Sequence, residues 1–299
     1  MNPEQHRHEG TKARRTPGPS NIFRSCLGVL VAFVILVLHY DAAAQRGGAA
    51  AQQPAAAPRS PKAAAVFDPT GYWVPLITED WRFRMVTPPK GDYASVPLNP
   101  EGRRVADTWD LAKDEATGSQ CKAYGVGGIT RQPGRLHITW DNETTLKFDY
   151  DAGQQTRWLR FTGSPAPGPE KTWQGTSMAE WELPTGRAGA GNAVGAVGGP
   201  GRVSITGRPG ALKVVTTNMR EGYLRKNGVP YSENAVITEY VDRLGPEPDG
   251  AVYLLIRTMV EDPKYLQQPF VTSTHFRLEA EGSKWNPTPC KTDPPAPLK

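Results

Sequence analysis

The stretch LHITWDNETTLKFDY, residues 136–150, alternates apolar and polar side chains on both sides of the turn-forming sequence Asp-Asn-Glu-Thr. Alternation over five or more residues is typical of a β-strand that buries one face, because successive side chains point to opposite sides. The stretch therefore predicts two antiparallel strands joined by a short turn. The side chains expected on the buried face are Leu136, Ile138, Trp140, Leu146, Phe148 and Tyr150.

Seven further segments are rich in Val, Ile, Thr and aromatic residues and are bounded by turn formers. They are residues 70–77, 155–161, 175–183, 211–219, 234–244, 251–261 and 270–278. Consecutive strands usually pair as neighbours, and closure removes the exposed edges of a long sheet. We therefore expect an all-β fold, an antiparallel meander that closes into a barrel of about 8–10 strands. A two-sheet β-sandwich is the alternative.

One short helix is expected in this β-rich chain, within residues 100–110. Pro100 suits the first turn of a helix, and Asn99 before it is a good cap. Gly and Pro together make up about a fifth of the 299 residues, so long loops are also expected. The expected barrel domain covers residues 66–290, and a Gly-rich segment at 185–210 is interpreted as a mobile loop within it.

The N-terminus has the layout of a secretory signal peptide over residues 1–44. A basic segment precedes the apolar run 27–38, and Ala42 and Ala44 fit the small-residue cleavage rule. A retained membrane anchor is the alternative, although 12 apolar residues are fewer than the roughly 20 that a spanning helix needs. The mature protein is therefore expected in the periplasm or outside the cell, without a membrane span.

Two further segments are predicted to be disordered. Residues 45–65 are rich in Ala, Pro and Gln and have too little apolar bulk to offset the entropy of ordering, so they are interpreted as a linker. Residues 291–299 are expected to be a frayed tail. The net charge is +5 and no basic run follows residue 44, so nucleic acid is not an expected partner.

Cys121 and Cys290 are the two cysteines after the predicted signal peptide, and we expect them to form a disulfide in an oxidising compartment. A metal site is the alternative, but neither cysteine has a His or Cys neighbour in the sequence to complete a ligand set. We therefore expect no metal and no cofactor. The sequence gives no indication of the oligomeric state.

Several motifs resemble those of a family of exported bacterial proteins of unassigned function. They include TWQG at 172–175, LRKNGVPYS at 224–232 and VEDPKYLQQPF at 260–270, and the resemblance covers most of residues 67–290. The family has no established reaction, so the resemblance implies export and a shared fold but no chemistry.

A second resemblance concerns the fold alone. Gly71-Tyr72-Trp73, at the start of the first predicted strand, is similar to the Gly-x-Trp motif of lipocalins. The resemblance implies a lipocalin-like barrel. It also implies that Arg277, on the last predicted strand, packs over Trp73 and closes one end of the barrel.

The first candidate site is TEDWRFR, residues 78–84. Arginine binds carboxylates and phosphates with two parallel hydrogen bonds, and tryptophan stacks on flat ligands. Trp81 and Arg82 are therefore candidates for binding an anionic or sugar-like molecule. The alternative is the edge of a strand, where charges such as Glu79 and Asp80 pair with their neighbours.

The second candidate site is REGYLRKNGVPYS, residues 220–232, which connects two predicted strands. Loops between strands often carry binding residues. Tyr223, Arg225 and Tyr231 are candidate ligand-binding residues at the mouth of a cavity. An ordered hairpin loop is the alternative, because Asn-Gly is a strong turn signal.

The third candidate site is VEDPKYLQQPF, residues 260–270, where a strand ends in Glu261 and Asp262 before a proline. Adjacent strand residues point to opposite faces, so one of the two carboxylates should point inward and could act as a general base. Tyr265 is a further ligand-binding candidate. The alternative is an ordinary corner between two strands, since Asp before Pro often starts a turn.

His137 and His275 fall on the polar faces of their predicted strands, so both are expected to point to solvent. No nucleophile, zinc-hydrolase or phosphate-loop motif is present. If the protein is an enzyme, its candidate catalytic residues are Glu79, Asp80, His137, Glu261, Asp262 and His275.

The main functional hypothesis is an exported barrel that binds a small, partly apolar ligand. The alternatives are an enzyme acting on a small hydrophobic or carbohydrate substrate inside the barrel, and a structural or interaction module of the cell envelope. The residues expected in the barrel lining or core are Trp73, Trp140, Trp158, Trp181, Tyr240 and Phe276.

Overall fold

The structure is a computed structural model that describes residues 59–164, 166, 168–182 and 210–295. The predicted signal peptide and all but one residue of the Gly-rich segment 185–210 lie outside these residues, so both stay predictions. Among the helices of the described residues, none is long and apolar enough to cross a membrane.

Nine strands close into a barrel in the order β1-β12-β11-β10-β7-β6-β5-β3-β2. The thirteen strands of the described chain are β1 (Gly71–Leu76), β2 (Leu136–Asn142), β3 (Thr145–Tyr150), β4 (Ala152–Gly153), β5 (Gln155–Arg160), β6 (Thr176–Glu182), β7 (Ala211–Thr217), β8 (Gly222–Arg225), β9 (Val229–Tyr231), β10 (Val236–Leu244), β11 (Tyr253–Glu261), β12 (Phe270–Glu279) and β13 (Thr288–Pro289). The expected all-β barrel is confirmed, and each of the nine predicted strands is present.

One pairing departs from the antiparallel meander. Strands β5 and β6 run parallel, with Leu159 opposite Ser177 and Arg160 opposite Met178. Two neighbouring parallel strands cannot be joined by a tight turn, because the chain must first return to the end at which it started. The connection between β5 and β6 is therefore a crossover and not a tight hairpin.

Three α-helices precede β2: α1 (Trp81–Met85), α2 (Pro100–Ala106) and α3 (Leu111–Ala116). The expected helix is α2, and the Asn99 side chain caps it by accepting from the Gly102 N–H at 2.8 Å. The other two helices were not predicted. The stretch that contains α1 was expected to be a strand edge if it was not a binding site. A helix of five or six residues shows too little of the 3.6-residue period to be recognised.

One end of the barrel, which we call the capped end, is covered by the two longest described connections. Residues 77–135 join β1 to β2, and residues 218–235 join β7 to β10. Tyr124 and Ile129 from the first connection belong to the same apolar core as the barrel strands. The two connections together are called the cap. A second apolar core lies between the cap and the nearby ends of the barrel strands, and includes Leu98, Leu224, Tyr231, Ile237, Val260 and Phe270.

The predicted linker ends earlier than residue 65. Residues 59–65 form a turn, and the Trp181 Nε1–H donates to the Pro61 carbonyl at 2.8 Å. The Lys62 backbone N–H donates to the Glu143 carbonyl at 3.1 Å. The barrel supplies the hydrogen-bond partners for these residues. The contacts offset the entropy cost of ordering the end of the predicted linker, which its own apolar side chains are too few to offset.

The disulfide between Cys121 and Cys290 is present, with the two Cα atoms 5.2 Å apart. It joins the 3₁₀ helix Gln120–Tyr124 of the cap to the segment after β13. Beyond it, Asp293 lies 3.4 Å from the Lys226 ammonium, and Pro295 forms a bridge with Thr87. The part of the predicted tail up to residue 295 is therefore held against the cap.

The barrel interior is divided into an apolar part and a polar part. Trp73, Trp140, Trp181 and Phe276 pack in or against the apolar core, as expected. Trp158 is 43% exposed on the outer wall and Tyr240 also lies on that wall, which contradicts their predicted place. In β5 and β10 the neighbouring charged residues, Arg157 and Glu239, point inward instead. The inward residues of the polar part are Tyr150, Arg157, Ser177, Thr216, Glu239, Thr258 and Thr274.

Arg157 and Glu239 form a buried ion pair inside the barrel. Two hydrogen bonds join the guanidinium to the carboxylate, at 2.5 and 3.2 Å, and both side chains are almost fully buried. Burial by itself lowers the pKa of Arg157, but Glu239 and Tyr150 raise it overall. Burial raises the pKa of Tyr150 to about 12, so its phenol stays protonated.

The lipocalin-like packing expected for Arg277 is not present. Arg277 is exposed on the outer wall, between the inward residues Phe276 and Leu278. Trp73 is fully buried in the core, and its Nε1–H donates to the Pro69 carbonyl at 3.0 Å. Period-two alternation therefore places the arginine on the opposite face of the sheet from the tryptophan.

Candidate functional site

Four arginines gather at the capped end, and we call Arg82, Arg84, Arg131 and Arg225 the arginine cluster. Arg82 and Arg84 come from α1, Arg131 ends the 3₁₀ helix Ile129–Arg131, and Arg225 ends β8. Three of the four are buried, and Arg82 is the exposed member. Segments far apart in sequence therefore contribute to one cationic site.

Three carboxylates pair with part of the cluster. Glu79 lies 2.7 Å from Arg84 Nη1, and Asp80 lies 2.7 Å from Arg131 Nη2. Asp92 pairs with the exposed Arg82. Arg225 instead donates through Nη1 to the Ala94 carbonyl at 2.6 Å. Because no carboxylate of the described residues is in hydrogen-bond contact with Arg225, the four guanidinium groups have three carboxylate partners and the cluster keeps an excess of positive charge.

Several buried donors of the cluster remain unused. Among the described residues, no hydrogen-bond partner lies near Arg84 Nη2, Arg131 Nη1, or Nε and Nη2 of Arg225. An unpartnered buried donor costs free energy, and a charged donor costs more. Burial lowers the pKa of Arg225 to about 10, which shows how poorly the surroundings compensate its charge. An anion placed among these N–H groups would satisfy donors that the protein leaves open.

An aromatic ring and a buried amide complete the site. The Arg225 guanidinium lies 4.0 Å from the centre of the Phe83 ring, and that of Arg82 lies 4.7 Å from it. Asn227 is fully buried and donates to the Pro89 and Asp92 carbonyls at 3.0 Å each. The hairpin β8–β9 thereby holds the loop that carries Asp92, so the site is supported from both cap connections.

The two histidines lie apart. His275 is on the outer wall with its Nδ1 3.5 Å from Glu79 Oε2, next to the arginine cluster. His137 stacks on Tyr72 with ring centres 3.9 Å apart and contacts Trp285 at its edge. Burial by these rings lowers the pKa of His137, so it is neutral at pH 7. Both histidines are on the outer wall. His137 does not face solvent freely, because the Tyr72 and Trp285 rings pack against it.

The corner at residues 260–270 is structural. Asp262 is buried and accepts hydrogen bonds from the Ser232 N–H at 2.6 Å, the Ser232 hydroxyl at 2.8 Å and the Lys264 N–H at 3.2 Å. Glu261 is exposed. Because protein donors occupy its oxygens, Asp262 is tied to the chain that follows β9 and does not face an open cavity.

Replacement of Asp262 by alanine is expected to lower the free energy of unfolding by about 1–3 kcal/mol, because it leaves the buried Ser232 N–H without an acceptor. Urea unfolding followed by tryptophan fluorescence measures the loss. Glu261→Ala is the matched control, an exposed carboxylate one residue away, and should change little. Equal effects of the two substitutions would contradict the structural role of Asp262.

The three tyrosine candidates have different surroundings. Tyr223 donates to the Asp114 carboxylate at 2.9 Å and lines a small cleft of about 20 Å³, room for roughly one water. Tyr231 is fully buried against glycines of the cap. Tyr265 is buried and donates to Glu221 at 2.9 Å. Of the residues predicted to bind ligand, only Arg82 and Arg225 belong to the arginine cluster, and Trp81 precedes Arg82 on α1.

Two cavities bear on where a ligand would bind. One is the small cleft beside Tyr223, and the other is an open groove of about 400 Å³ between residues 95–97 and 268–271. Neither is lined by the inward residues of the polar part of the barrel. The described residues also contain no group of three His, Cys, Asp or Glu side chains placed to hold a metal ion.

Sequence reasoning placed Arg84 in the first candidate site but did not identify Arg131, which precedes β2 in a segment that had no recognisable pattern. No protein-family model, no curated protein and no solved structure matches this chain. The functional argument therefore depends on the geometry of the site.

Proposed function

We propose that this protein is an exported barrel that binds a small anionic ligand at the arginine cluster. One observation carries the proposal: Arg84, Arg131 and Arg225 are buried together, while four of their guanidinium nitrogens have no acceptor among the described residues. Arginine suits carboxylate and phosphate groups because its planar fork matches two oxygens at once. The ligand is thus bound at the capped end and not among the apolar side chains of the barrel.

Export is part of the proposal and has two supports. The N-terminal sequence has the layout of a signal peptide. The Cys121–Cys290 disulfide suits an oxidising compartment. Membership in the family of exported bacterial proteins is proposed on the same motifs as before. TWQG contacts the cap, since the Trp173 carbonyl accepts from the Val126 N–H at 3.0 Å, and LRKNGVPYS contains the end of β8 and all of β9.

Catalysis is the weaker alternative. Glu79, Asp80 and His275 lie at the cluster, but Glu79 and Asp80 already pair with arginines. His137, Glu261 and Asp262 lie elsewhere, so the six candidate catalytic residues do not converge. Binding requires only the donors that the structure leaves open, and it is the function we favour.

The test of binding is isothermal titration calorimetry of the protein with inorganic phosphate, sulfate and acetate. We expect Arg225→Met to weaken the tightest of these interactions by about 10- to 100-fold, the loss of one or two hydrogen bonds to a charged group. Arg225 is chosen because no carboxylate depends on it for pairing.

The matched control is Arg257→Met, which removes an exposed arginine that pairs with Asp242 at 2.8 Å on the barrel wall. It should leave anion affinity unchanged. Thermal unfolding of both variants checks that the fold persists. No binding of any of the three anions, or equal weakening by the two substitutions, would refute the proposed site.

A further inference from the structure

We infer that the ligand is an amphipathic anion, whose acidic group enters the arginine cluster while its apolar chain lies over the exposed face of α1. The inference rests on the proposed function and adds the chemical class of the ligand. Its basis is a patch of apolar side chains, Trp81, Met85 and Val86, which we call the α1 patch.

The α1 patch is unusual among the described residues. Trp81 is 65% exposed, Met85 52% and Val86 39%, within six consecutive residues. Trp81 and Met85 are four residues apart and therefore lie on one side of the helix. Leu244 and Val271, by contrast, are exposed singly, which is ordinary for a protein surface. A contiguous group of large apolar side chains marks a binding surface.

The same helix joins the patch to the cations. Arg84 lies between Trp81 and Met85 in sequence but points into the protein, where its Nη2 has no partner among the described residues. Arg82 is exposed beside the patch. At 1.5 Å per residue the five-residue helix is about 7.5 Å long. An extended alkyl chain of roughly seven carbon atoms spans that length, so one molecule can contact both the cations and the apolar surface.

Charge and shape together favour an alkyl anion over other occupants. A purely polar anion would use the arginines and leave Trp81 and Met85 in water. A neutral apolar molecule would cover the patch and leave the buried guanidinium N–H groups unsatisfied. A molecule with one phosphate or carboxylate and a flexible chain complements both parts.

A second exposed apolar pair provides a matched control. Trp158 is 43% exposed and Met178 is 48% exposed, on the neighbouring strands β5 and β6 of the barrel wall. Their residue types and exposure resemble those of Trp81 and Met85. The arginine cluster does not include either strand, so this wall pair tests whether apolar surface alone attracts the ligand.

The experiment is a calorimetric titration of the protein with phosphate and with butyl, hexyl and octyl phosphate below their aggregation concentrations. A chain that buries half of each methylene gains about twofold in affinity per methylene, so octyl phosphate, with four more methylenes, should bind roughly 15-fold more tightly than butyl phosphate. The double variant Trp81→Ser with Met85→Ser should abolish this gain and keep the affinity for inorganic phosphate. Retained phosphate binding also shows that the variant's site is folded.

The control variant Trp158→Ser with Met178→Ser should keep the full gain with chain length. If the α1 double variant keeps the gain, or if the control loses it, the inference is wrong. If the unaltered protein binds phosphate but gains nothing with chain length, the inference fails while the proposed function stands. If it binds neither phosphate nor alkyl phosphate, the proposed function fails with it.

Discussion

Replacement of Glu239 by alanine is expected to lower the free energy of unfolding by about 3–5 kcal/mol, because it breaks a buried ion pair from one side. The substitution leaves the Arg157 guanidinium buried in the barrel without its carboxylate. Ser177 and Thr216 accept hydrogen bonds from Arg157 at 3.4 and 3.3 Å, but neither supplies a negative charge. The uncompensated charge is the source of the loss.

Urea unfolding of the oxidised protein measures this effect, and a double variant separates charge from packing. Arg157→Met with Glu239→Leu removes both charges, and should cost much less than Glu239→Ala because no lone charge is left behind. Glu180→Ala is the matched surface control, since Glu180 pairs with Lys213 at 3.0 Å in solvent and should change stability little. A double variant as unstable as the single one would show that the pair is not the cause.

Removal of the disulfide is expected to cost about 2–5 kcal/mol. Cys121→Ser or Cys290→Ser opens a loop whose ends are 169 residues apart in the sequence, which increases the freedom of the unfolded chain. It also frees the segment that follows β13, which reaches Lys226 and Thr87 on the cap. We therefore expect the segment 288–295 to lose protection before the barrel does.

Urea unfolding measures the stability of these variants, and hydrogen exchange resolves the segment 288–295. Thr288→Ser is the matched control, because it changes an exposed side chain two residues before Cys290 and keeps the disulfide. It should leave both measurements unchanged. Free thiols at Cys121 and Cys290 in the oxidised protein, found by peptide mapping, would contradict the bond itself.

The strands were predictable because each shows its own local pattern. The alternation in residues 136–150 appears as β2 and β3 with the expected residues inside, and Asn99 caps α2 as expected. Each of these features depends on residues within about ten positions of one another. Local periodicity and capping chemistry are legible at that range.

Which side chains of a strand point into the barrel is harder to predict when a charged residue lies next to an aromatic residue. In β5 and β10 the reasoning placed Trp158 and Tyr240 inside, because large aromatic side chains usually bury. The structure places Arg157 and Glu239 inside instead, because the two side chains form an ion pair with each other. The two errors have one physical cause, a pair whose members are 82 residues apart.

The candidate site was likewise predictable only in part: single segments were recognisable from the sequence, and their proximity was not. Trp81, Arg82 and Arg225 were candidate binding residues from their own segments, but nothing in the sequence connects them to Arg131. The cap brings α1, the 3₁₀ helix Ile129–Arg131 and the end of β8 together. These donors lack a partner only in the folded protein. Packing buries them away from water and leaves no acceptor of the described residues within hydrogen-bond distance.

The sequence by itself determined that the chain forms a β-rich domain, where its strands run, and which cysteines pair. It did so because alternation and turn chemistry act locally, and because only two cysteines follow the predicted signal peptide. Only the tertiary structure decided that Arg157 and Glu239 face inward, that Asp262 is a structural tie and that four arginines share one site. Those outcomes depend on the balance between desolvation and pairing, and a charged side chain finds its partner only when distant segments have been packed together.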